Sequence, residues 1–105
     1  MAAILRPEAT PEDFSRRAEG YLPGWFGMKV TAITPGRLEM ELPIKQEMLA
    51  PNGFLHAASI VALADTAAGF ATIAHLPEGS ESFTTIELKT NFFSTQREGT
   101  VRCVA

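Results

Sequence analysis

With 105 residues, 46% of them hydrophobic, the chain is sized for one domain (1–105) with a modest core. Its net charge of −3, carried with nine scattered basic residues of which only Arg16 and Arg17 are adjacent, gives no electrostatic case for nucleic acid. A single cysteine, Cys103, excludes an internal disulfide, and with only two well-separated histidines there is no metal-ligand cluster, so the expectation is a protein of the reducing cytoplasm with no metal and no cofactor.

The first stretch, MAAILRPEATPEDF, lacks the charged and apolar regions of an export signal, and residues 1–9 read as a loose lead-in. Thr10-Pro11-Glu12-Asp13 then supplies an N-cap, a proline at the first helical position and acids in the first turn. A short helix follows, with Phe14, Ala18 and Leu22 on one face and Tyr21 beside them, ended by Gly20 and Pro23. Residues 23–27, PGWFG, read as a turn-rich linker whose Trp25 and Phe26 belong to the core or to an interface. Met28 to Thr34 and Arg37 to Pro43 read as an antiparallel pair of strands around Pro35-Gly36. Pro-Gly is not the preferred two-residue hairpin chemistry, which leaves room for a slightly longer loop or a bulge, with antiparallel pairing the default. Leu38, Met40 and Leu42 alternate with Arg37, Glu39 and Glu41, so Glu39 and Glu41 solvate an outward face and are not a catalytic pair.

Beyond a loop over 44–55, the run from Ala57 to Ile73 holds only Ser59, Asp65, Thr66, Gly69 and Thr72 outside Ala, Val, Ile, Leu and Phe. Its length and alanine content predict a helix, and the even spread of apolar residues predicts that other parts of the protein cover it on most sides. A membrane span is not expected, because Ala, Gly and Thr outnumber Leu, Asp65 stands mid-segment and no basic flank follows. Leu76 to Ser80 is a helix stop, with His75 at the helix end. Ser82 to Phe93 is the longest strand candidate: Thr84, Ile86, Leu88, Thr90 and Phe92 share one face, while Thr85, Glu87, Lys89 and Asn91 form a polar ladder expected to point outward. A turn over 95–99 leads into a last strand from Thr100.

Asp65 and His56 are the candidates for chemistry, each with a structural alternative, His56 as a helix-start or loop histidine. A carboxylate in the middle of an apolar helix must be neutral, hydrogen-bonded or in a wetted cleft, so a structural aspartate bonded to backbone or to a hydroxyl stands beside a functional one. His56 follows the turn signal Asn52-Gly53 and precedes the helix, where unpaired backbone N–H groups gather. Nine residues amount to about two and a half helical turns, so His56 and Asp65 face nearly opposite ways on one chain. If both serve one site, the helix start of one subunit meets the mid-helix carboxylate of another in a two-fold dimer. The predicted class is α+β, a curled antiparallel sheet wrapped around one long central helix. Four strands would cover that helix poorly, so another chain or a longer polypeptide is expected to complete the sheet.

The segments Asn52-Gly53-Phe54-Leu55-His56-Ala57-Ala58, Ala62-Leu63-Ala64-Asp65-Thr66-Ala67-Ala68-Gly69 and Thr84 to Phe92, with Glu98-Gly99, resemble the hotdog-fold acyl-CoA thioesterases of the phenylacetate-pathway (PaaI-like) family. The resemblance spans about residues 25 to 105. It implies a sheet around one helix, dimers or dimers of dimers with active sites at the subunit interface, and an acyl-CoA substrate. It also implies that Asp65 is the catalytic carboxylate, general base or nucleophile, that His56 precedes the helix, and that the N–H of Ala57 polarises the thioester carbonyl. Asn52, Gly53 and Gly69 fall at substrate-binding positions, Gly69 leaving space beside Asp65 where some relatives carry a hydroxyl. Where the family shows His-Gly-Gly this chain has His56-Ala57-Ala58, and the family's last two strands, with their CoA-gripping arginine, have no counterpart. A hotdog hydratase or dehydratase and a non-catalytic acyl-CoA binding module are the other readings.

Overall fold

The computed structural model describes residues 4–105; the start of the predicted lead-in, residues 1–3, lies outside that range. The rest of the lead-in is fastened. The Arg6 N–H donates to the Ala74 carbonyl at 2.9 Å, its guanidinium donates to the carbonyls of Leu76 and Pro77 at the C-terminal end of the long helix, and Ala9 is buried. A guanidinium on the last carbonyls of a helix satisfies acceptors that have no partner within it.

Helix α1, Pro11–Ala18, begins as expected: the Thr10 hydroxyl accepts the Asp13 N–H, and Phe14 and Ala18 turn inward. It ends a turn early, because the chain breaks at Gly20 in a left-handed conformation (φ 82). The predicted linker instead contains a second short helix, α2, Leu22–Phe26, closed by Gly27 at φ 78. Leu22 and Tyr21, expected on the inward face of the first helix, are exposed. Trp25 is 77% exposed and so lies outside the core of this chain, with its ring 5.4 Å from that of Phe26.

Strands β1, Lys29–Thr34, and β2, Arg37–Pro43, pair antiparallel as predicted, with Thr34 opposite Arg37 across the two-residue Pro35-Gly36 turn. Positive φ falls on Gly36 alone, the pattern of a type II turn, whose twist does not match the strands. A bulge at Thr31, between the Val30–Met40 and Ala32–Glu39 pairs, absorbs the mismatch. Strand β3, Thr100–Val104, lies along the other side of β2, so the sheet order is β1-β2-β3. Leu38, Met40 and Leu42 are essentially fully buried on the inner face.

The long helix α3, Ala57–His75, packs across β2. By length and composition it could cross a membrane, with a mean hydropathy of 1.6, but its Leu63 and Ala67 are instead core residues. The expected cover reaches most of the helix: of its 19 residues Ser59, Leu63, Ala67, Gly69 and Ala74 are buried, and Ala57, Ala58, Ala68 and Thr72 are the exposed ones. At its end His75 accepts the Gly36 N–H through Nε2 at 2.9 Å while Nδ1 meets the Ala71 carbonyl at 2.7 Å, which ties the helix to the hairpin turn.

The segment predicted as the longest strand, Ser82 to Phe93, runs extended but pairs with no strand among the described residues. Strand character requires a neighbouring chain of N–H and C=O groups in register, and the segment is hydrogen-bonded to none among the described strands. Of the polar ladder, Glu87, Lys89 and Asn91 are exposed as expected, but Thr85 turns its hydroxyl to α3, and Ile86, on the other face, is 94% exposed.

Candidate active site

The site is built from the two halves of α3 and the segments that approach them. At the helix start, the loop before α3 is held by its own polar groups. Asn52 Oδ1 accepts the Phe54 N–H at 3.1 Å, Gly53 takes φ 88, and the Ala50 N–H donates to the Phe54 carbonyl at 2.7 Å. That is a side-chain-stabilised turn, in which only glycine accommodates the positive φ without strain. Asn52 and Gly53 therefore shape the turn that delivers His56. Beside them the Arg97 guanidinium lies 4.0 Å above the Phe54 ring.

The Met48 carbonyl anchors the end of the turn twice, accepting the His56 N–H at 3.0 Å and the Ser59 hydroxyl at 2.8 Å. Ser59 is a buried polar side chain, and its bond joins the first turn of α3 to the preceding 3₁₀ turn Gln46–Met48. His56 is the N-cap: its Nδ1 accepts the Ala58 N–H at 2.9 Å. With Nδ1 as acceptor, the neutral ring carries its proton on Nε2, which points a donor away from the helix. The Ala57 N–H, at the first helical position, has no partner inside the helix and takes part in none of the turn and loop bonds. Ala57 borders an open groove with Leu55, Ile60, Phe92, Thr95 and Val101.

Midway along α3, Asp65 is half-buried, and its Oδ1 accepts the Thr85 hydroxyl at 2.9 Å. This resolves how an apolar helix tolerates a carboxylate: one oxygen is hydrogen-bonded, and the group borders a shallow groove with Ala68, Gly69, Thr72 and residues 83–88. The space expected beside Gly69 is filled, since a methyl group built there would collide with the Phe83 ring. Among the described residues no three His, Cys, Asp or Glu side chains gather as metal ligands.

His56 and Asp65 are not brought together. Nine residues of α-helix separate them by about 13 Å along the axis and about half a turn around it. Thr85, Ser59 and Phe83 are the site residues that sequence reasoning missed. Ser59 had a signal, because it sits four residues before Leu63 on the stripe that becomes the buried face. Thr85 and Phe83 had none, since their partners are set by how residues 82–93 lie across α3.

A family model described as the thioesterase superfamily matches residues 52–105, the stretch that holds Asn52, His56, Ala57, Asp65 and Thr85. The chain belongs to that superfamily. It is 28% identical over 80 residues to ComA2 of Bacillus subtilis (strain 168), a candidate esterase, covering 76% of this chain and 64% of that protein. Over 101 residues it is 28% identical to the 1,4-dihydroxy-2-naphthoyl-CoA hydrolase of Escherichia coli (strain K12), covering 96% of this chain and 74% of the hydrolase. The chain thus spans about two thirds to three quarters of the length of these relatives. Among solved structures, a mutant of thioesterase PA1618 from Pseudomonas aeruginosa superposes with a TM-score of 0.89 at 20% identity, over 97% of this chain and 73% of that one. Thioesterase HI1161 from Haemophilus influenzae gives 0.84 at 24% identity, over 90% and 66%. The fold is the α+β hotdog fold, with a narrow antiparallel sheet laid on one long helix.

Proposed function

We propose that this protein is an acyl-CoA thioesterase, hydrolysing the thioester of an acyl-CoA to a free carboxylic acid and CoA. The observation that carries the reading is the Asp65 carboxylate, fixed by Thr85 on the half-open side of α3 with its second oxygen unused among the described residues. Asp65 acts as general base on water or as the nucleophile. In the first case it takes a proton from water as the oxygen attacks the carbonyl carbon. The oxyanion that develops is met by the Ala57 N–H, aligned with the positive end of the helix, and by His56 Nε2–H. Collapse of the tetrahedral intermediate expels the CoA thiolate, which is then protonated.

Because helix geometry holds His56 and Asp65 apart on one chain, the working site joins the α3 start of one copy to the Asp65 of a second. The working form is a homodimer or a dimer of dimers, in the cytoplasm. Asn52 and Gly53 set the turn that presents the carbonyl-binding donors, and Gly69 contributes to the acyl side of the pocket. Single-domain size, the −3 charge and the location of the family match on the donor and carboxylate segments support this reading.

The test is CoA release from short-chain, long-chain and phenylacetyl-CoA by wild type and Asp65→Asn in parallel, corrected for the Cys103 thiol. Wild type is expected to turn over, and the isosteric variant to lose about two orders of magnitude or more while staying folded. Binding without release by wild type would favour a non-catalytic acyl-CoA module. Hydration of an enoyl-CoA without CoA release would favour a hydratase.

A further inference from the structure

We infer that Phe83 sets the length of acyl group that the Asp65 site accepts. The inference rests on the thioesterase reading and adds a specificity-determining residue to it.

The geometry comes from the match between an extended chain and a helix. Thr85 bonds Asp65, and the Phe83 ring sits on Gly69. Two residues of extended chain span about 6.6 Å, and four residues of helix rise about 6 Å, so the segment from Phe83 to Thr85 runs antiparallel to α3 and in step with it. Thr85 and Phe83, two apart, point to the same side, toward the helix. Gly69 makes the seat: it is the one residue that lets an aromatic ring rest directly on the helix backbone at that level, since any Cβ would collide with it.

The groove that contains Asp65 is lined by Ala68, Gly69 and Thr72 of α3 and by residues 83–88, and one arm of it runs from the carboxylate toward the C-terminal end of α3, past Phe83. An acyl chain whose carbonyl carbon is presented to Asp65 runs along that direction. About one helical turn on, it meets the Phe83 ring, whose tip is seated on Gly69. Short acyl groups fit in front of the ring, and long ones must displace it from Gly69, losing its packing. The ring is half covered, 40% exposed, so it is a movable wall and not part of the central core.

The experiment compares kcat/KM for butyryl-CoA and dodecanoyl-CoA in wild type, Phe83→Ala and Phe83→Leu. Removing the ring is expected to raise the dodecanoyl-to-butyryl ratio by about tenfold or more, the scale on which apolar pocket contacts discriminate, with Leu between. Phe83→Leu keeps an apolar side chain on the helix and covers the case in which Phe83→Ala does not fold. Gly69→Ala supplies an independent check on the seat: it is expected to lower Tm alone and to be tolerated in the Phe83→Ala background. An unchanged ratio in a variant that still hydrolyses butyryl-CoA overturns the inference and leaves the thioesterase reading intact. Absence of hydrolysis by folded wild type overturns both.

Discussion

Replacing Ala57 by proline removes one atom of the proposed chemistry and little else. The N–H of Ala57 is the donor assigned to the developing oxyanion, and proline has none. Ordinarily such a change breaks a helix, but Ala57 is the first residue of α3, where no internal bond is lost and the fixed φ of proline is pre-organised. The residue before a proline is restricted to extended conformations, and His56 already adopts φ −66 and ψ 137. The fold is therefore expected to be neutral to the change or stabilised by up to about 1 kcal/mol through the unfolded chain. Losing one oxyanion donor costs about 2.7–4 kcal/mol of transition-state stabilisation, so kcat is expected to fall by about 10² to 10³ with KM little altered. Steady-state CoA release, with thermal unfolding of the same samples, reads both quantities. A variant that folds like wild type and retains its kcat would refute the assignment of Ala57.

Thr85→Val keeps shape and deletes the hydroxyl on Asp65 Oδ1; because the bond is solvent-exposed, the expected loss is about tenfold in kcat, restored by Thr85→Ser, and absent in an Asp65→Asn background. Equal losses in both backgrounds would show that Thr85 acts independently of the carboxylate. Ser59→Ala removes one of the two bonds to the Met48 carbonyl, and is expected to cost about 1 kcal/mol, seen as a Tm lowered by about 4–8 °C. An unchanged Tm would mean that the His56 N–H alone anchors the loop. Burial raises the Cys103 thiol above its ordinary pKa, so alkylation at neutral pH is expected to be slower than that of a free thiol and to accelerate on unfolding. Equal rates for folded and unfolded protein would contradict its placement opposite Met40 in the sheet.

Local signals were legible where the chain's own neighbours decide the outcome. Thr10-Pro11 started α1, the alternation of Leu38, Met40 and Leu42 defined the inner face of β2, and the alanine-rich run around Asp65 became α3. Asn52-Gly53 before His56 gave the turn and the N-cap, since an Asx side chain and a left-handed glycine act over two or three residues. The 3.6-residue period alone already set His56 and Asp65 on opposite sides of the helix.

What the sequence could not decide are the outcomes that depend on a distant partner. Residues 82–93 have the composition of a strand, but β pairing is a property of two chains, and here the second is absent from the described fold. The same segment instead lies on α3, where Thr85 finds Asp65 and Phe83 finds Gly69. Trp25 and Leu22 look like core by type, but burial is assigned by what packs over a residue, and both stay exposed on α2 while Phe26 beside them packs against the core. Sequence thus determined which groups are present and how each is held locally. The tertiary structure alone decided which oxygen of Asp65 is bonded, which ring lies on Gly69, and which few residues of α3 stay exposed, because those are contacts between segments whose approach no local pattern encodes.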